Sequence, residues 1–151
     1  MQTLETVLKT HSFFRDLKQE YLELALGCAT NVVFKPGEII LKEGKPADRF
    51  FLIREGRIAI EVPLESQRSI TIQTIQGGDI LGWSWLIPPH QNKFNCRTLD
   101  LTRAIALDGK CLREKCEKNH DLGYDLLMRI AKVFTSRLEA TRLQLLNLYE
   151  R

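Results

Sequence analysis

Hydrophobic positions along the chain change their period twice. Between residues 4 and 26 they recur at helical spacing. Leu4, Val7 and Leu8 make one stretch, and Leu17, Tyr21, Leu22, Leu24 and Leu26 a second that ends at Gly27. From Asn31 the period shortens. Residues 32–34, 39–41, 50–53, 57–62 and 69–75 are short runs rich in β-branched and aromatic side chains, punctuated by Pro36-Gly37, Glu43-Gly44, Glu55-Gly56 and Gly77-Gly78-Asp79. Short strands parted by glycine turns about every ten residues predict an antiparallel sandwich or barrel. Arg57-Ile58-Ala59-Ile60-Glu61-Val62 and Ser69-Ile70-Thr71-Ile72-Gln73 alternate strictly, so each is expected to bury one face.

After Asp108 the helical period returns. Leu127, Ala131, Phe134, Leu138, Thr141, Leu145 and Leu148 are spaced alternately four and three apart, an a/d seam over three heptads. The first half of such a seam can pack on the domain itself. A stripe that runs to the last residues predicts a second copy of the chain as its partner, through Leu127, Phe134, Leu138, Leu145 and Leu148. The expected organisation is a single domain: N-terminal helices over 1–28, a β-roll over 29–108 and C-terminal helices over 109–151.

Composition narrows the function classes. A 151-residue chain that is 44% hydrophobic can build one core without a staple. Its 22 basic and 19 acidic side chains leave a net charge of +3 and are interspersed, so the concentrated basic stripe of a nucleic-acid binder is absent. No secretory leader and no apolar run of about 20 residues is present, which predicts a cytoplasmic protein without a membrane span. Cys28, Cys96, Cys111 and Cys116 form no C-x-x-C pair and are expected to be free, mostly buried thiols rather than metal ligands. His11, His90 and His120 lie far apart, with no H-x-x-x-H or H-x-E pattern, and no triphosphate-binding glycine loop occurs. No catalytic residue, metal or cofactor is therefore expected.

The strand region carries a more specific signature. Phe34-Lys35-Pro36-Gly37-Glu38-Ile39-Ile40, then Glu43-Gly44, Asp48, Phe50-Phe51-Leu52-Ile53 and Glu55-Gly56-Arg57-Ile58-Ala59 resemble, in this order, the cyclic-nucleotide-binding domains of the catabolite activator and FNR-type regulators. The resemblance implies a mainly β fold with flanking α: an eight-stranded antiparallel jelly roll between N-terminal helices and a long dimer helix. It further implies a phosphate-binding cassette, here residues 78–98. In the family a Gly-Glu pair opens a one-turn helix whose N–H groups face the cyclic phosphate. The glutamate holds the ribose, and an Arg-Ser or Arg-Thr pair some ten residues on neutralises the phosphate.

The cassette departs from that pattern. Gly82 is in place, but Trp83 stands where the glutamate belongs, followed by Ser84. Two registers are open for the arginine pair. If Pro88-Pro89 mark a lengthened loop, Arg97-Thr98 holds the phosphate; otherwise Asn92-Lys93 occupy its place, and Arg97 and Thr98 belong to the next strand. The second fits the strand pattern better. Each lost charge-assisted bond is worth roughly 1.5–3 kcal/mol, so the two together weaken cyclic AMP or cyclic GMP by about two to four orders of magnitude. His90, beside Pro89, is the histidine nearest the expected pocket and reads as a surface-loop residue. Thr141, in Arg137-Leu138-Glu139-Ala140-Thr141-Arg142, matches the hydroxyl that the family's dimer helix offers to the purine. The candidate ligand residues are thus Gly82, Trp83, Ser84, Lys93, Arg97, Thr98 and Thr141. The family's transcription factors continue into a helix-turn-helix that has no counterpart in these 151 residues, so direct DNA binding is not expected. Two functions remain: a sensor of a small anionic ligand signalling through a dimer helix to an unknown protein, or a ligand-free interaction module with a closed pocket. Trp83 or Trp85 filling the pocket would favour the module.

Overall fold

The computed structural model describes residues 2–150, which divide into two compact units with the boundary between Lys115 and Cys116. The first holds α1 (Leu4–Thr10), a 3-10 turn at Ser12–Phe14, α2 (Gln19–Leu26) and eight strands: β1 (Ala29–Phe34), β2 (Ile39–Leu41), β3 (Arg49–Glu55), β4 (Arg57–Pro63), β5 (Ser69–Gln76), β6 (Ile80–Leu81), β7 (Asn95–Thr98) and β8 (Thr102–Asp108). They form two antiparallel four-stranded sheets, ordered β1-β8-β3-β6 and β2-β7-β4-β5, the expected jelly roll. Helix α3 (Gly109–Lys118) follows β8, and α4 (His120–Tyr149) follows α3 after Asn119, whose side chain caps it by accepting from the Leu122 N–H.

The roll interior is apolar: Leu41, Phe51, Ile53, Ile58, Ile60, Ile75, Leu81, Cys96, Ala104 and Ala106. Residues 50–53 are buried on both faces of β3, because a second layer covers the outer side. There Phe13 meets Phe50 edge-on at 5.3 Å and touches Phe14 at 5.1 Å. Three expectations change. The 69–73 run of β5 buries no face fully: Ile70 is exposed and Ile72 only half-buried. Strand β4 is buried from Ile58 to Glu61 on both faces instead of one; on the outer face Arg97 lies opposite Ala59 and pairs with Glu61. The four cysteines are not all free: Cys28, just after α2, and Cys111, in the first turn of α3, are joined in a disulfide with Cα atoms 5.8 Å apart. Proximity across 83 residues of sequence is a product of the fold that no local spacing encodes. Cys96 and Cys116 stand outside any disulfide and are buried, as expected.

Two residues hold local geometry strictly. Gly56, between β3 and β4, has φ +106°, and a Cβ there would stand 2.5 Å from Thr102 Oγ1 and 2.7 Å from the Leu101 carbonyl oxygen. His11 is buried between α1 and the sheet; its Nε2–H donates to the Ile53 carbonyl at 2.9 Å, and Nδ1 accepts from the Phe13 N–H at 3.1 Å. Both nitrogens are committed to the neutral tautomer. Burial holds the pKa below the ordinary 6.5, opposed by the Ile53 bond and by Asp79. Arg15 and Arg54 line the same cleft of about 330 Å³.

Gly56→Ala is expected to cost about 2–4 kcal/mol, since strain and clash coincide, lowering Tm by roughly 5–15 °C in a thermal melt. The unfolded chain protonates His11 first as pH falls through 6.5, so the stability tied to this site is complete above 6.5 and is lost on acidification towards the lower folded pKa. Melting across about pH 7.5 to 5.5 should therefore show a steeper loss of Tm for the natural chain than for His11→Asn, which keeps an acceptor for the Phe13 N–H.

Candidate functional site

The cassette begins at β6, whose Ile80 and Leu81 pair with Leu52 and Phe51 and are buried. Gly82 then turns the chain at φ 90°, ψ 47°, with room for no Cβ: one would lie 2.9 Å from the Arg49 carbonyl oxygen. The 3-10 turn Trp83–Trp85 follows, with Trp83 half-buried and Ser84 and Trp85 buried. Trp85 has no exposed surface, yet it is not part of the roll interior. Its ring stacks at a tilt on Phe50, centroids 5.4 Å apart, and so joins the outer layer with Phe13 and Phe14. Among the described residues the indole N–H has no hydrogen-bond partner.

Trp85 also meets the start of α3. Its carbonyl accepts from an Arg113 Nη at 2.5 Å. Gly109, held by its N–H on the Asp48 carbonyl at 2.9 Å, comes so near that a Cβ would stand 2.9 Å from Trp85 Cβ. The cassette turn is thereby fixed to the helix that follows the roll.

The far end of the cassette is sewn to the β2–β3 turn. Asn92 is buried; its carbonyl accepts from the Gly44 N–H, its own N–H donates to the Lys45 carbonyl, and its Nδ2 donates to the Lys42 carbonyl. Asn95 Oδ1 accepts from the Glu43 N–H at 2.8 Å. His90 is half-buried, with its carbonyl accepting from the Ala47 N–H at 2.7 Å. Lys93, between these anchors, is exposed.

The predicted site residues fall into separate groups. Gly82, Trp83 and Ser84 share one turn. Arg97 and Thr98 lie in β7, as in the register that leaves the phosphate arginine missing. Arg97 pairs with Glu61 on β4 at 2.5 Å, with the carboxylate nearly buried and the guanidinium half-exposed. Thr98 is buried; its hydroxyl donates to the Lys35 carbonyl at 2.6 Å and accepts from the Glu38 N–H at 3.0 Å, closing the Pro36-Gly37 turn. Each of the two side chains has a partner within the roll. In the second unit, Thr141 is exposed on α4 and donates to the Arg137 carbonyl one turn back. Along α4, Leu122, Leu126 and Ile130 are buried, while the seam residues Leu127, Leu138, Leu145 and Leu148 are exposed and Phe134 is half-buried. The burial thus falls on a stripe beside the seam, not on its first half. Gly109 and Arg113 were not singled out by sequence, and neither stands in a pattern that would have flagged it. Among the described residues, no group of three His, Cys, Asp or Glu side chains is arranged to hold a metal, and no helix is long and apolar enough to cross a membrane.

The sequence profile of the cyclic nucleotide-binding domain matches residues 31–119. The chain is 26% identical over 116 residues to the cAMP-dependent protein kinase regulatory subunit of Dictyostelium discoideum, covering 74% of this chain and 35% of that one. The chain thus spans about a third of that relative. A Geobacter metallireducens protein named for cyclic nucleotide binding is similar in structure, with a TM-score of 0.80, 28% identity, and coverage of 91% of this chain and 99% of that one. A cyclic nucleotide-binding domain from Methylobacillus flagellatus has a TM-score of 0.78 at 20% identity, covering 93% of this chain and 79% of that one.

Removing the guanidinium leaves Glu61 uncompensated in a nearly buried position. Arg97→Ala is therefore expected to cost about 1.5–3 kcal/mol in urea unfolding, and adding Glu61→Gln should recover at least half of the loss. A stable Arg97→Ala protein that merely loses ligand affinity would instead put Arg97 in the binding site.

Proposed function

The chain belongs to the cyclic nucleotide-binding domain family, and we propose that it works as a ligand-sensing regulatory domain, without catalysis, that reads a small anionic ligand at the cassette and passes the change through α3. The contact of Trp85 with Arg113 and Gly109 carries this reading, because movement of the cassette turn must be felt at the first turns of α3. Trp85 sits in the outer aromatic layer and outside the roll interior, so it leaves the sensor reading standing. Gly82, Trp83 and Ser84 are the proposed ligand-side turn, with Lys93, exposed at the far end of the cassette, as the proposed cation. A ligand shifts such a domain only by its difference in affinity between two arrangements.

The ligand is a cyclic nucleotide held weakly or another small anion. With Trp83 at the glutamate position and Arg97 committed to Glu61, neither the ribose nor the phosphate clamp of the family is kept. Signalling runs to a second copy of the chain through the exposed seam of α4, with Leu127, Leu138, Leu145 and Leu148 flanking Phe134 and with Thr141 between them. A cytoplasmic setting and an unidentified downstream protein complete the proposal. The competing reading, a ligand-free interaction module, draws its support from the same engaged state of Arg97 and Thr98.

Thermal melting of the purified chain with 1 mM cyclic AMP, cyclic GMP, AMP or inorganic phosphate separates the two. A ligand bound at about 0.1–1 mM raises Tm by roughly 1–4 °C, and that is the expected result for at least one of these anions. A micromolar ligand would add about 4 kcal/mol and show that the altered cassette keeps full strength. Unchanged Tm with all four leaves the interaction module.

A further inference from the structure

The cassette and the disulfide meet at the same short stretch of helix. Cys111 is the third residue of α3; Gly109 and Arg113, two residues to either side, are the groups that touch Trp85. Cys28 lies on the other side of the bond, directly between α2 and β1, and its carbonyl accepts from the Asp108 N–H at 2.9 Å. The first turn of α3 is thus clamped twice, covalently to the end of α2 and by packing and hydrogen bonds to the cassette. The two residues differ in exposure: Cys28 is buried, whereas Cys111 is half-buried. Neither other cysteine competes. Cys96 is enclosed in the roll interior, and burial pushes the Cys116 thiol up to about 11, which keeps it protonated and a poor nucleophile near neutrality.

We infer that Cys28 and Cys111 form a reversible redox couple that sets how firmly α3 holds the cassette turn. The reductant is a small dithiol. Its thiolate attacks Sγ of Cys111, the more exposed residue; a mixed disulfide forms and Cys28 leaves as a thiolate that takes up a proton. The second thiol then displaces Cys111, which is protonated in turn, and the dithiol becomes its cyclic disulfide. Two electrons and two protons have passed to the protein. The reverse step needs a disulfide oxidant such as oxidised glutathione. Freed of the covalent tie, the first turn of α3 is held by Asp108, whose carboxylate accepts from the Cys111 N–H, and by its contacts with Asp48 and Trp85. The inference concerns the cassette–α3 link and holds whichever ligand the cassette takes.

The test uses the whole chain without ligand. Samples equilibrated with dithiothreitol or oxidised glutathione are denatured, alkylated with N-ethylmaleimide and weighed; two modified cysteines are expected after oxidation and four after reduction. Hydrogen exchange on the same samples should show amides of 83–86 and 110–115 exchanging about tenfold faster when reduced, with β4 and β5 unchanged. Cys111→Ser should exchange like the reduced chain whatever the redox buffer, and Cys96→Ser should respond like the natural chain. Should Cys111→Ser fail to fold, the two redox states of the natural chain still give the answer. Four modified cysteines after oxidation would overturn the couple. Acceleration confined to 110–115, with 83–86 unmoved, would reduce the bond to a staple of α3 with no hold on the cassette.

Discussion

A tryptophan ring removes 150–250 Å² from water when it is buried, which at 25 cal/mol/Å² amounts to an upper estimate of about 4–6 kcal/mol. In this molecule that contribution is concentrated at Trp85, and the elements around it are arranged to receive it. Phe50 lies beneath the ring, Gly109 brings the α3 backbone to its Cβ, and Arg113 binds its carbonyl. Gly82 makes the sharp turn that sends the segment outward from the roll interior. The cassette is consequently a structural part of the outer layer as well as the edge of a candidate site. Any change in its conformation has to be compatible with keeping that ring dry.

This double duty gives the cassette a frame made of the protein's own contacts. Protein contacts set its shape: Asn92 and Asn95 to the β2–β3 turn, Thr98 to the β1–β2 turn, and Trp85 to α3. A frame held from within does not need a ligand to be ordered, so little of a ligand's binding free energy is consumed in ordering it.

Much of the roll is legible in the sequence because its signals are local. Runs of β-branched residues between glycine turns locate β1 to β5, and helical spacing locates the terminal helices. The two-residue β6 has too short a run to register, though Gly77-Gly78-Asp79 marks the turn before it. The identity of Arg97 announces a cation but not its partner. Ala59 is its neighbour in the ladder, and Glu61 is reached only on the diagonal across the β4–β7 pair. Trp85 reads equally as a pocket filler or a core cap, and what decides it, Gly109 and Arg113, lies more than twenty residues downstream. The partnership of Cys28 and Cys111 is illegible for the same reason, since it depends on β1 and β8 lying side by side.

That last pairing also orders events in time. Ala29 faces Leu107 and Phe34 faces Thr102, so the first strand has no neighbour until the last one exists. Strand β3, with Phe50 and Phe51 at its centre, has β8 as its longest partner and waits with it. During synthesis the β4–β5 hairpin can close early, from contacts within 20 residues of one another. The sheet holding the aromatic layer cannot close until Asp108 has left the ribosome. At about 5–20 residues per second, most of this domain's synthesis passes with its stickiest strand lacking its longest partner, since the earlier β6 covers only Phe51 and Leu52. Closing such a long loop favours slow folding, and makes the nascent chain, more than the finished fold, the form most exposed to mispairing.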